Sequence, residues 1–103
     1  MKEITLCGIT IEVTDDGYFL EPALWSRNMA AEMAHTEGIA LTEQHFLILE
    51  YIRKLFLEGH ALTIRAIGNS GLTDIKGFYS LFPGAPMKKA SKLAGVPKPA
   101  SCI

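Results

Sequence analysis

The sequence predicts an α+β, mainly α fold, with a short β-hairpin followed by a series of helices. Three observations point to it. Apolar residues alternate between positions 2 and 13 around a glycine. The set Phe46, Ile48, Leu49, Ile52, Leu55 and Phe56 recurs at helical spacing between Thr42 and Gly59. Glycine and proline then divide the remainder into pieces of helix length: Gly38, Gly68-Asn69-Ser70-Gly71, the stretch from Pro83 to Pro86, and Gly95.

In order along the chain, Lys2 to Val13 reads as the hairpin. Ile4, Leu6, Ile9, Ile11 and Val13 are its apolar positions, and Gly8 lies at the turn. Asp15-Asp16-Gly17 forms a second turn, and Tyr18-Phe19-Leu20 adds a short extended piece. Pro22 suits the first turn of a helix, where its missing N–H has no partner to lose. Leu24, Trp25, Met29 and Met33 continue that helix to a stop at Gly38. Thr42 caps the strongest helix of the chain, Glu43 sits in its first turn, and Gly59 follows its end near Glu58. Thr63 caps a short helix through Ile67. A further helix from Asp74 to Leu81 offers Ile75, Phe78, Tyr79 and Phe82 to the core. The last helix, Pro86 to Ala94, has Met87, Ala90, Leu93 and Ala94 on one face and Lys88, Lys89 and Lys92 largely on another. Gly95 ends it, and Pro97 and Pro99 hold the tail extended.

At 103 residues and 49% hydrophobic content the chain fits a single domain, 1–103, with 95–103 as a flexible C-terminal arm. A mean hydropathy of +0.20 with 20% charged residues argues against disorder. No apolar run approaches the roughly 20 residues of a membrane-spanning helix. The first residues lack the long apolar core of a signal peptide. A cytoplasmic location follows as the expectation, and thiols stay reduced there. That disfavours a disulfide between the two cysteines, Cys7 and Cys102. The formal net charge of −1 is unevenly distributed: positions 84–103 carry Lys88, Lys89, Lys92 and Lys98 with no acid, on a body of net negative charge. This basic segment reads as a solvated face, as an anion-facing surface, or as support for a thiolate.

Few residues carry chemistry. His35, His45 and His60 fall near helix ends, without zinc-ligand spacing, and read as surface or cap histidines. Gly68-Asn69-Ser70-Gly71 lacks the Lys-Ser/Thr of a phosphate loop. The helices between Thr42 and Phe82 suit a helix-turn-helix. Its later helices offer only Arg65 and Lys76 as cations on an acidic body, so direct DNA binding is disfavoured. Arg65 reads as an exposed helix arginine, or as a cation near the place where the tail folds back. Cys102 stands out, because free cysteine is usually buried while chain ends are the least ordered part of a domain. A free thiol with a pKa of about 8.5 is only a few per cent thiolate at neutral pH. Docking beside positive groups raises that fraction. An extended arm from Gly95 to Cys102 reaches roughly 25 Å, enough to enter another protein's cleft.

Together these residues resemble the DsrC/TusE family of sulfur-relay proteins. The resemblance rests on Leu81-Phe82-Pro83, Pro86, Lys88, Ala90, Lys92, Ala94-Gly95, Pro97-Lys98-Pro99 and Cys102. Upstream it includes Gly17-Tyr18, Trp25, Glu37-Gly38-Ile39, Leu41-Thr42, His45, Arg53 and Ile64-Arg65. It implies a small orthogonal helical bundle containing a helix-turn-helix, with an N-terminal β-hairpin and a mobile C-terminal arm. It also implies that Cys102 handles sulfur. In TusE-like members the penultimate cysteine accepts persulfide sulfur from a relay complex and passes it toward a tRNA 2-thiouridylase. In DsrC-like members it works with a second cysteine eleven positions upstream, alongside sulfite reductase. Here that position is Ser91, so the arm cannot close a disulfide on itself. The stretch between Arg65 and Leu81 is shorter and richer in glycine than the family pattern. Cys7 lies outside the signature and reads as a small apolar filler of the hairpin. The expected function is a sulfur carrier. Cys102 is the reactive residue, Lys92 and Lys98 aid docking, and Arg65 positions the arm. No metal or organic cofactor is expected. The rival readings are a DsrC-like partner of sulfite reductase and a regulatory helix-turn-helix protein.

Overall fold

Strands β1 (Lys2–Leu6) and β2 (Ile9–Val13) pair antiparallel, with Ile4 opposite Ile11 and Leu6 opposite Ile9. The register leaves two residues, Cys7 and Gly8, for the loop. Both have positive φ, 53° and 78°, as a turn matched to the strand twist requires. This corrects the reading of Cys7. It is an exposed turn residue, not an apolar filler, because its place in the loop takes it out of the strand alternation. Leu6, Ile11 and Val13 are buried and Ile9 is half exposed, whereas Glu3, Glu12, Thr5 and Thr10 form the outer face. The expected extended piece after the second turn is present as a bridge from Phe19 to Val13.

The computed structural model describes residues 2–60, 62–84 and 86–97. Its helices are α1 (Arg27–Thr36), α2 (Glu43–Leu57), α3 (Ile64–Gly68), α4 (Ile75–Leu81) and α5 (Pro86–Leu93). The expected helix from Pro22 to Gly38 is two elements. A 3-10 turn over Pro22–Leu24 ends at Trp25, which is extended with ψ of 145°. Ser26 then caps α1, its Oγ accepting the Met29 N–H at 3.3 Å. Leu24 and Trp25 fit the helical spacing of the residues after them, but Ser26 supplies a better helix start. After α1 the chain closes as anticipated at Gly38, with the Ile39 N–H donating to the Ala34 carbonyl at 2.9 Å.

The core forms around α2, whose buried residues are His45, Ile48, Leu49, Ile52 and Leu55. α5 packs on α2, α1 and α4, and α3 packs on α4 as the helix-turn-helix pair. Thr63 caps α3 through the Ala66 N–H, and Asp74 caps α4 through the Gly77 N–H. Phe78 and Phe82 are fully buried in this core, meeting edge to face at 5.6 Å. Ile75 and Tyr79, expected beside them, are 48% and 45% exposed. A helix as short as α4 buries one stripe, and Phe78 with Phe82 occupies it. The hairpin holds a smaller cluster of Leu6, Ile11, Val13, Phe19 and Met29. Trp25 and Met33 pack against both clusters. No helix among the described residues is long and apolar enough to cross a membrane.

Candidate functional site: the base of the C-terminal segment

Lys98 and Cys102 lie outside the described residues. What the structure shows is the seat from which their segment departs. α5 ends in a tight cap: Ala94 N–H donates to Ala90 O at 2.8 Å, Gly95 N–H to Lys92 O at 3.1 Å and Val96 N–H to Ser91 O at 3.3 Å. Gly95 has φ of +70°, and Ala94 and Val96 are fully buried.

The last carbonyls of a helix have no partner within it. Here side chains from elsewhere in the chain take them. The Trp25 indole N–H donates to Leu93 O at 2.6 Å. Arg53 on α2 donates from Nη1 to Ala94 O at 3.0 Å and from Nη2 to Pro22 O at 3.0 Å. Its guanidinium lies 4.6 Å from the centre of the Trp25 ring, a cation–π contact. Burial pushes the Arg53 guanidinium below its ordinary value, and the two carbonyls and the ring supply what water would otherwise provide. A β-carbon on Gly95 would stand 2.2 Å from Trp25 Cδ1, so the indole and the backbone of residue 95 fit together only without a side chain there.

Two clefts flank this seat. One, about 490 Å³, is lined by Trp25, Glu50, Arg53, Lys54, Leu57 and Glu58. The other, about 450 Å³, lies among the hairpin, α1 and α5, with Leu6, Glu32, Met33, Lys92 and Leu93 in its wall. Lys92 belongs to this second side. Its stem runs past Gly17 and its ammonium lies 5.9 Å from the centre of the Tyr18 ring. Arg65 is exposed on α3, whose packing partner is α4. It sits on a different helix from Lys92, which is on α5. Arg53 is the arginine at the base of the segment.

Comparison with known proteins decides the family. The family described as DsrC like protein matches residues 5–103. The chain belongs to it. Among DsrC-like proteins it is 35% identical to the sulfurtransferase TusE of Escherichia coli strain K12, covering 93% of this chain and 95% of that protein. It is equally 35% identical, with the same coverage, to the sulfurtransferase TusE of Pectobacterium atrosepticum. Its fold matches the solution structure of DsrC from Allochromatium vinosum with a TM-score of 0.82 at 32% identity, covering 98% of this chain and 97% of that one. It matches the oxidised γ-subunit of dissimilatory sulfite reductase (DsrC) from Archaeoglobus fulgidus with a TM-score of 0.84 at 28% identity, covering 99% of this chain and all of that one. The mainly helical fold with an N-terminal hairpin is thus the DsrC fold, as the sequence led us to expect.

Ser91 is fully buried on α5, and its Oγ has no hydrogen-bond partner among the described residues. A buried hydroxyl left without a partner costs about 1–3 kcal/mol. Ser91→Ala removes that cost and favours the helix, so it is expected to raise stability by about 1 kcal/mol. Urea unfolding of the two proteins checks this, and a lower midpoint in the variant would contradict it. Cys7 is of a different kind. Its backbone N–H donates to Glu32 Oε2 at 2.7 Å, and partial desolvation, then the Glu32 carboxylate, push its thiol above the ordinary value. That makes it a poor thiolate and a weak nucleophile.

Two residues of this DsrC-like core were quoted as part of the sequence pattern without a role. Arg53 is the first, since nothing local indicates that its partners are the carbonyls of residues 22 and 94. His45 is the second. The sequence reads it as a surface or cap histidine; it is buried, and it caps α2 from the third position. Its Nδ1 accepts the Thr42 N–H at 3.1 Å, and its Nε2–H donates to Leu81 O at 2.9 Å. This bond adds a tie from α2 to the end of α4, just ahead of α5. Among the described residues no group of three or more His, Cys, Asp or Glu side chains is placed to hold a metal ion.

Proposed function

We propose that this protein relays sulfur in the manner of TusE, carrying it on Cys102. The thiolate of Cys102 attacks the terminal sulfur of a donor persulfide. A new S–S bond forms at Cys102, the donor's S–S bond breaks, and the donor leaves as a thiolate. The loaded Cys102 then gives up the same sulfur to an acceptor. No oxidant enters, because the terminal sulfur changes carriers without a net change in oxidation level.

The observation that carries this reading is the near-complete alignment with sulfurtransferases. Identity to the TusE proteins is 34–36% across 93% of the chain. It exceeds the 32% shared with DsrC of Allochromatium vinosum and the 28% shared with the γ-subunit of sulfite reductase from Archaeoglobus fulgidus. Ser91 in place of a second arm thiol agrees with a carrier that uses one cysteine. The partners on this reading are a persulfide-bearing donor complex and an acceptor enzyme, the latter of the tRNA 2-thiouridine type, with all of them in the cytoplasm. Lys92 and Lys98 serve docking in this scheme, consistent with the basic end of an otherwise acidic chain, and Arg65 supports the arm.

Mass spectrometry after incubation with a persulfide donor tests the reading. The unmodified protein is expected to gain one reducible sulfur on Cys102, and Cys102→Ala to gain none on the arm. A Cys102→Ala protein that acquires labile sulfur at the original level would overturn it.

A further inference from the structure

The contacts at the end of α5 do more than a helix terminus needs. A single capping bond normally suffices, and solvent can take the remaining carbonyls. Here Leu93 O and Ala94 O are each held by a side chain from a different element, and the two side chains are stacked on one another. Arg53 bridges two backbone carbonyls, those of Pro22 and Ala94, from one guanidinium over the Trp25 ring. Gly95 presses its bare Cα face against the indole. Everything on the amino-terminal side of Pro97 is therefore fixed, down to Val96, which is fully buried.

We infer that Arg53, acting through Trp25, is a positioning residue that sets where, and in which direction, the segment carrying Cys102 leaves the domain. The inference rests on the reading of Cys102 as the sulfur carrier. A tether of five residues, from Pro97 to Cys102, spans at most about 17 Å. Release of the last turn of α5 adds about four residues to it. The local concentration of the thiol at a partner's site then falls roughly two- to threefold from tether length alone, before any loss of direction. The seat also adjoins the cleft lined by Trp25, Glu50, Arg53, Lys54, Leu57 and Glu58.

The chain has one tryptophan, which makes a direct test possible. In a Cys7→Ser background, Cys102 is labelled with a fluorophore that accepts energy from Trp25, and the distance distribution is compared with that of Arg53→Gln. Hydrogen exchange is followed at the Ala94, Gly95 and Val96 amides and, as internal control, at Ile48, Leu49 and Ile52 on α2. For Arg53→Gln the distribution is expected to broaden. The three amides at the end of α5 are expected to exchange about tenfold faster or more, with the α2 amides within about twofold. Arg53→Lys, which keeps a cation over the ring but reaches only one carbonyl, should fall between the two. Trp25→Phe, read by exchange alone, should loosen the same three amides. Sulfur loading of Cys102 by inorganic polysulfide is expected to be unchanged in Arg53→Gln, because the thiol's own chemistry is untouched. Unaltered exchange and distance in Arg53→Gln would overturn the inference. So would equal acceleration on α2, which would make Arg53 a general stability residue. Failure of polysulfide to load Cys102 in the parent protein would instead remove the sulfur reading and leave the exchange result standing.

Discussion

Gly95→Ala is expected to destabilise the protein by about 3–4 kcal/mol and to free the end of α5. Two terms add. Residue 95 has φ of +70°, and a non-glycine residue held in that region costs about 1 kcal/mol or more. The new methyl would also stand 2.2, 2.6 and 2.7 Å from Trp25 Cδ1, Cγ and Cβ. The indole must swing away, which breaks its 2.6 Å bond to Leu93 O and leaves that carbonyl in a part-buried place without a donor, at about 1–3 kcal/mol. Gly38 provides the control. Its φ is +74°, but nothing lies within 4 Å of an added β-carbon, so Gly38→Ala carries the backbone term alone, about 1 kcal/mol. Urea unfolding of the pair separates the terms. Equal losses at the two glycines would show that Trp25 does not require the space at position 95.

His45→Ala is the second large loss, expected at about 3 kcal/mol. The imidazole does two jobs with its two nitrogens. With the proton on Nε2 it donates to Leu81 O at 2.9 Å, and Nδ1 accepts from the Thr42 N–H at 3.1 Å. The ring also meets Phe82 edge-on at 5.1 Å. Alanine leaves Leu81 O without its donor, at about 1–3 kcal/mol, removes the cap, at about 1 kcal/mol, and opens space beside Phe82. His45→Gln divides these contributions. Glutamine at the third helical position reaches back to the cap N–H, so it restores the cap but not the bond to Leu81. Its stability is expected to recover by about 1 kcal/mol relative to alanine. Full recovery in His45→Gln would show that the Leu81 bond contributes nothing.

Local signals made much of this fold legible. Gly8 between alternating strands, Thr63 ahead of a short helix, and Gly38, Gly59 and Gly95 after longer ones act within a few residues of themselves. The structure bears each of them out. Misreadings arose where two local signals competed. Leu24 and Trp25 matched the spacing of α1, yet Ser26 interrupts it. α4 carries Ile75, Phe78, Tyr79 and Phe82, more apolar surface than one short helix can bury, and spacing alone did not say which pair would face out. Cys7 reads as an apolar filler of the hairpin, and not as a turn residue, because a two-residue turn with positive φ at both positions is usually marked by Asn-Gly or Asp-Gly, and this one is not. The site was legible in a different way. Cys102 and the arm motif enter through the family resemblance and lie outside the described residues, whereas the side-chain partners at the end of α5 have no local signal. Arg53's partners lie 31 and 41 residues away in sequence, beyond any spacing rule.

Trp25's bond to Leu93 spans 68 residues of chain. Closing so long a loop is entropically costly, and contacts of this separation form late, after helices such as α2 have found their near neighbours. The mounting for Cys102 is therefore expected to be among the last parts of the molecule to assemble. Substitutions there should hasten unfolding while leaving the folding rate nearly unchanged. During synthesis, the thiol emerges on a chain whose mounting is still incomplete. An intact cap at the end of α5, with Trp25 bonded to Leu93, then reports that the whole domain has folded.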